Sequence, residues 1–249
     1  MQKIAIVSDI HGNLPALEKV IADMEARQVE QVFNLGDLVS GPLYPQETLQ
    51  LLRKQNWIHI RGNHDRQLVD QDPQEHGLSD QYAYKHLSHA DLDWLNTLPA
   101  HLLLQDQFFL FHGTPSSDST YLLETVEHGS ARLASSTEIA QRLGNASAAI
   151  MLCGHTHIPR VIETPQQTLI INPGSVGLPA YDDETPEYHV METGSAHARY
   201  AILEYKKNRW QAELIAVPYE HQLAAEQASK NGRPDWAYAI QNGVMPRVK

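Results

Sequence analysis

Aspartate, histidine and asparagine recur in five short clusters, each placed where an apolar run gives way to turn residues. They are Asp9-Ile10-His11-Gly12, Gly36-Asp37, Gly62-Asn63-His64-Asp65, Phe111-His112-Gly113 and Gly154-His155-Thr156-His157. On extended backbone, residues two apart point the same way, so Asp9 with His11, and His155 with His157, are spaced to hold a cation. Asp9 beside His11 equally fits a helix cap next to a surface histidine. Asp37 has two oxygens and can bridge two cations, or it caps a turn. Asn63 offers an amide oxygen in what is otherwise a plain Gly-Asn turn. His64 is left free as a proton donor, with Asp65 to orient or charge-stabilise its imidazole. A lone histidine at a strand end, as at His112, is ordinarily structural. Gly-His-Thr-His is the most specific of the five.

The elements that must position these residues follow from hydrophobic periodicity. Ile4–Val7 reads as a buried strand. Leu14–Arg27 reads as an amphipathic helix with Leu14, Leu17, Val20, Ile21 and Met24 on one face. A strand at Gln31–Leu35, a helix at Pro45–Lys54 and a strand at Trp57–Ile60 continue the alternation, which predicts a layered α/β sheet. Asp80–Leu98 reads as two helices, Leu102–Leu104 and Phe108–Phe111 as strands, Thr137–Leu143 as a helix and Ala148–Leu152 as a strand. Val161–Glu163, Thr168–Ile171, Arg199–Tyr205 and Trp210–Ala216 read as mostly antiparallel strands. Glu220–Lys230 is a helix, and the last twenty residues read as a loosely specified tail. Each cluster thus sits where a strand ends, the place where open α/β sheets bind ligands. No repeat or linker divides the chain, so one domain over 1–249 is expected, with a core to about 217 and a C-terminal helix and tail over 218–249.

The 249 residues, 42% of them hydrophobic, supply a core easily. A formal charge of −11 argues against a grip on long nucleic acid by counterion release. It leaves room for a small anionic substrate at a metal centre. One cysteine, Cys153, excludes a disulfide framework, and a buried inert thiol is its ordinary reading. The apolar N-terminal stretch is too short for a signal-peptide core, and no stretch suffices for a membrane span. The expectation is a cytoplasmic protein.

Together and in this order, the clusters resemble the calcineurin-like metallophosphoesterase superfamily, whose pattern runs D-x-H, G-D, G-N-H-(D/E), H, G-H-x-H. The motif-dense region spans Lys3 to about Gly177. The resemblance implies an α/β (α+β) fold, a β-sandwich of two mixed sheets flanked by helices with metals at one sheet edge. It implies one divalent ion held by Asp9, His11, Asp37 and His157, and a second held by Asp37, Asn63, His112 and His155. His64 is then the general acid. Two dications less two carboxylates and a bridging hydroxide leave a net positive centre that attracts phosphate. The implied reaction is in-line attack of that hydroxide on a small phosphodiester or phosphomonoester, the leaving alkoxide taking a proton from His64. Nitrogen and oxygen donors favour Mn²⁺, with Fe, Co²⁺, Ni²⁺ or Zn²⁺ as alternatives, over Cu⁺.

Phosphoprotein phosphatases of the superfamily extend the second motif to G-D-x-V-D-R-G, whereas Ser40 and Gly41 stand at those positions here. Gly-Asp-Leu-Val-Ser-Gly-Pro, His-Gly-Thr-Pro and Asn-Pro-Gly-Ser-Val-Gly instead look like the small bacterial phosphodiesterase-like branch. Arg61 and Arg66 are candidates for phosphate contact, although ion pairing is their simpler reading. Thr114–Glu127 is a candidate rim for the leaving group, and Tyr181–Glu187 reads as a solvated acidic loop. The partners expected are small phosphoesters, not long nucleic acid or membrane. A nuclease, or a non-catalytic metal-binding or interaction protein on the same fold, are the competing readings.

Overall fold

A computed structural model describes residues 3–247. The first apolar run forms β1 (Lys3–Val7), followed by α1 (Leu14–Ala26), whose N-cap Asn13 accepts from the Ala16 amide at 3.3 Å. Next come β2 (Gln31–Asn34), α2 (Pro45–Leu52) and the short β3 (Ile58–His59). Helices α3 (Asn63–Asp70), α4 (Leu78–His86) and α5 (His89–Asn96) lead to β4 (His101–Leu104) and β5 (Phe108–Phe111). A hairpin of β6 (Glu124–Glu127) and β7 (Ser130–Leu133) precedes α6 (Ser136–Leu143) and β8 (Ile150–Leu152). Then follow β9 (Arg160–Glu163), β10 (Leu169–Asn172), β11 (Ala180–Asp183) and β12 (His189–Glu192). The long hairpin β13 (Ala198–Lys206) and β14 (Arg209–Val217) leads into α7 (His221–Lys230) and α8 (Pro234–Asn242).

Two five-stranded sheets stack, in the orders β14-β13-β1-β2-β3 and β4-β5-β8-β10-β9. Both are mixed: β1, β2 and β3 are parallel, as are β5, β8 and β10, while β13 pairs antiparallel with β1 and β14, β4 with β5, and β9 with β10. The two-residue side-chain period of a strand builds the layers. Ile4 and Ile6 of β1 join Phe33, Phe108, Leu110, Ile150 and Leu152 between the sheets. Their neighbours Ala5 and Val7 face the other way, into a cluster with Leu17 and Val20 of α1, Ala224 of α7 and Ile240 of α8. On the far face of the second sheet, Met151, Cys153 and Ile170 pack with Ile139 of α6. The expected sandwich is therefore the fold, with helices on both outer faces.

The second half is mostly antiparallel, as expected, with β10 pairing parallel to β8. Two local readings differ. The third cluster opens a helix, α3, because Asn63 follows immediately on the turn at Gly62. The expected tail contains α8, which buries Trp236, Ala239 and Ile240 against the main core.

Candidate metal centre

All five clusters lie at the carboxyl ends of β1, β2, β3, β5 and β8, so both sheets deliver their loops to one end of the sandwich. Backbone bonds lace those loops together. The Asp9 and His11 amides donate to the Gly36 and Asp37 carbonyls, each at 3.0 Å, and the Gly154 amide donates to the His112 carbonyl at 2.7 Å. The His155 amide crosses between sheets to Asp9 Oδ2 at 3.2 Å. Asn172, at the end of β10, donates from Nδ2 to the Gly154 carbonyl at 2.8 Å, and Ser175 Oγ donates to the Asp9 carbonyl at 2.7 Å. The segment Asn172–Gly177 is thus a buttress behind the first and fifth clusters.

Two groups of side chains converge. Ligand atoms of Asp9, His11 and His157 lie within 4.8 Å of one another, and so do those of Asp37, His112 and His155. His157 Nε2 is 3.3 Å from Asp9 Oδ1 and 3.1 Å from His11 Nε2, while His112 Nε2 is 3.2 Å from Asp37 Oδ2. Asp37 Oδ2 also lies 3.9 Å from His11 Nε2, so this carboxylate reaches both groups. Asn63, the seventh expected ligand, lines the adjoining space with His155. The two groups thus hold six of the seven expected ligands.

The backbone there is unlike the extended strand end that the spacing suggested. Asp9, His11, Asp37, His155 and His157 all take left-handed φ, between 52° and 69°. That region is costly for residues with a Cβ and persists where surrounding contacts enforce it, commonly at functional sites. Gly62 shows how tight the packing is: a Cβ there would sit 2.2 Å from Asp37 Oδ1.

The donor chemistry fits cations. His11, His112 and His157 each place Nδ1 against a backbone carbonyl, those of Ser40, Leu35 and Leu178, at 2.8, 2.8 and 2.7 Å. A proton held there leaves Nε2 as the lone-pair donor facing the cluster, the arrangement that orients metal-ligating histidines. Asp9 Oδ1, Asn63 Oδ1 and His112 Nε2 are buried and have no hydrogen-bond partner. Buried polar atoms ordinarily find partners, so these three are satisfied best by ions.

Electrostatics reports the same crowding. Burial, and then neighbouring His157, lowers His11 to about 4; burial, and then His112, lowers His155 to about 3. Both are neutral donors at ordinary pH. Burial opposes charge on His112 as well, but the Asp37 and Asp9 carboxylates prevail and raise it to about 10. Burial would raise Asp9, yet His157 and His112 bring it down to about 2.

His64 stands beside the cluster with a partner that differs from the one expected. Its Nδ1 lies 2.9 Å from Asp80 Oδ1 in the first turn of α4. Asp80 also accepts from Ser40 Oγ. Asp65 does not orient the imidazole: its carboxylate accepts from the amides of Asp37, Leu38 and Gly62 at 2.7, 3.0 and 2.9 Å. Consecutive helical residues do not face each other, so His64 and Asp65 at the start of α3 diverge. Asp65 instead ties the second cluster to the third. Burial would lower His64, but Asp37 and Asp80 raise it to about 9, and its side chain is 31% exposed.

Arg66 is clamped by Asp118 through Nε and Nη2 at 2.6 and 3.0 Å, and Arg61 lies 3.8 Å from Asp70. Neither lines the space in front of the candidate metal centre. Tyr181, in the expected solvated loop, is in β11 instead and donates to the His155 carbonyl at 3.0 Å, with Tyr121 Oη 2.9 Å from its hydroxyl. The Tyr181 ring packs on His157 and the Tyr121 ring on His155, with centroids 4.6 and 4.9 Å apart. Trp236 of α8 packs 5.8 Å from the His11 ring. Asp80, the tyrosine pair and Trp236 escaped the sequence reading because none of them stands in a cluster. Asp80 reads locally as an ordinary first-turn acid.

The chain is similar to known proteins in sequence and fold. A family model described as the calcineurin-like phosphoesterase superfamily domain matches residues 2–196. An uncharacterized protein of Methanocaldococcus jannaschii is 24% identical over 264 residues, covering 94% of each chain. A phosphodiesterase of the same organism is 26% identical over 202 residues, covering 81% of this chain and 99% of its own. The crystal structure of a metallophosphoesterase from Sphaerobacter thermophilus superposes with a TM-score of 0.76 at 25% identity, covering 98% of this chain and 100% of that one.

Proposed function

Because the chain belongs to the calcineurin-like phosphoesterase superfamily, we propose that it is a dinuclear-metal phosphoesterase that hydrolyses small phosphodiesters or phosphomonoesters. The observation that carries this reading is the convergence of two donor groups on Asp37, with three buried donor atoms left unpartnered. Asp9, His11, Asp37 and His157 would hold one ion, and Asp37, Asn63, His112 and His155 the other. The name of the M. jannaschii relative, a phosphodiesterase, supports the reaction class. Nitrogen and oxygen donors suit Mn²⁺ first, then Fe, Co²⁺, Ni²⁺ or Zn²⁺.

A bound pair of divalent cations supplies Lewis acidity at the phosphoryl group and lowers the pKa of water. The chain's own residues do the rest. The carbonyls of Ser40, Leu35 and Leu178 fix the imidazoles so that Nε2 faces inward. The His64 amide donates to Asp37 Oδ1 at 3.0 Å, which holds the second of its oxygens in place. His64, held through Nδ1 by Asp80, gives the proton on Nε2 to the leaving oxygen, a role worth about 10²–10⁴ in rate. Asp65 acts at a distance by fixing the loop that carries Asp37. The single buried cysteine suits a reducing, cytoplasmic setting.

The test is metal analysis together with hydrolysis of p-nitrophenyl phosphate and bis-p-nitrophenyl phosphate. Metal-dependent release of p-nitrophenol from at least one supports the reading; inertness toward both with metal bound opposes it.

A further inference from the structure

Two clefts open from the metal cluster and meet at Asn63, His155 and Asp183. The narrower, about 240 Å³, contains His64 and is walled by Leu178, Tyr181, Trp236, Ala239 and Met245. The wider, about 560 Å³, excludes His64. It runs between the β6–β7 hairpin and the turn after β11, past Gln67, Ser119, Thr120, Thr125 and Arg142.

We propose that the narrow cleft seats the leaving alcohol of a phosphodiester and that the wide cleft seats the polar substituent retained by the product. This rests on the phosphoesterase reading. A general acid must lie within hydrogen-bond reach of the oxygen it protonates. The leaving group therefore occupies the cleft that contains His64. In an in-line displacement the substituents that stay on phosphorus project sideways from the breaking bond. The second ester arm of a diester is thus directed out of the narrow cleft, whereas a monoester carries no group to enter the wide one.

Both clefts mix polar and apolar walls, with Asp182, Arg233 and Asp235 also lining the first and Glu124 and Asp183 the second. Trp236 is fixed against the loop after β2, where a Cβ on Gly41 would come within 2.9 Å of the indole, and the Arg233 guanidinium lies 5.5 Å from its ring centre. Both residues lie beyond the 2–196 region matched by the family model, so this boundary is supplied by the C-terminal helix. In the wide cleft, Arg142 donates to the Leu122 and Glu124 carbonyls and to Thr125 Oγ1, all neutral acceptors. Gln67, Ser119, Thr120 and Thr125 line the same cleft and offer amide and hydroxyl partners to a hydroxyl-bearing group such as a nucleoside. In the reaction, water adds to phosphorus and the bond from phosphorus to the leaving oxygen breaks. That oxygen takes the His64 proton, and His64 is reprotonated by the proton released from water. The products are a free alcohol and a monoester that still carries the retained group.

The Mn²⁺-loaded protein is assayed on p-nitrophenyl phosphate, bis-p-nitrophenyl phosphate and the p-nitrophenyl ester of thymidine 5′-phosphate, which share one leaving group. The expected kcat/KM for the thymidine ester exceeds that for the monoester by about tenfold or more. Thr120→Trp and Gln67→Trp, each filling the wide cleft, reduce that ratio about tenfold. Replacing p-nitrophenol in the thymidine ester by the bulkier 4-methylumbelliferone, of similar acidity, lowers kcat/KM, and Trp236→Ala narrows this difference. A monoester turned over as well as the thymidine diester overturns the assignment, as does a ratio unmoved by both wide-cleft variants. Inertness toward all three nitrophenyl esters with two ions bound overturns the phosphoesterase reading itself, a separate failure.

Discussion

Asp80 Oδ1 sits 2.9 Å from His64 Nδ1 and closes a contact between the first turns of two successive helices, α3 and α4. The same carboxylate accepts from Ser40 in the loop after β2, so Asp80 ties that loop to the start of α3.

His64→Ala is expected to retain both ions and lose about 10²–10⁴ in kcat. Asp80→Asn should lose less, about tenfold to 100-fold, and should also change the pH profile. As the proposed general acid His64 must be protonated, and the Asp80 carboxylate beside it favours the charged imidazole against burial. Without Asp80 the imidazole loses its proton at lower pH, so the alkaline limb of the profile moves down. Kinetics from pH 6 to 10 check this. A full-rate His64→Ala variant, or an unmoved limb in Asp80→Asn, removes the corresponding role.

Metal binding should release protons. In the metal-free protein His112 titrates at about 10, above its usual 6.5. The stability it contributes is therefore complete below pH 6.5 and lost as pH rises through about 10. An ion at Nε2 must displace that proton, so affinity climbs with pH across this window. Calorimetry at pH 7.5 in two buffers of different ionisation heat should find about one proton released at this site. Saturation at about 100 times Kd adds about 2.7 kcal/mol, and chelation lowers Tm by about 5–10 °C. Binding without proton release contradicts the assigned state of His112.

A second titration lies outside the candidate metal centre. His59 packs against Trp57 and Trp94, with centroids 6.1 and 5.6 Å away, and burial lowers it to about 4. Its Nδ1 has no partner. The unfolded chain binds this proton near pH 6.5 and the folded chain does not until about pH 4, so stability falls as pH drops through that interval. Between pH 7 and 5 the loss is about 2 kcal/mol. Urea denaturation of wild type and His59→Leu at both pH values measures it. The same pH-dependent loss in both proteins excludes His59 as its source.

The five clusters were legible because each sets a metal donor beside glycine or asparagine where a strand ends, and a strand end is visible as the close of an apolar run. Asp65 was misplaced because adjacency in sequence suggests contact, whereas helical geometry turns it away from His64 toward the Asp37 amide. The left-handed backbone at Asp9 and His157 was also hidden, since loops crossing between the sheets enforce it. Asp80 and Trp236 gain their roles only when α4 and α8 dock. Such docking is tertiary, and no local pattern records it.

In the proposed centre Asp37 joins two ions. Electron paramagnetic resonance of the Mn²⁺-loaded protein, paired with metal analysis, decides whether it does. Two ions per chain with an exchange-coupled spectrum, lost in Asp37→Asn, is the predicted result. A single ion per chain, or two ions without magnetic coupling, would contradict it.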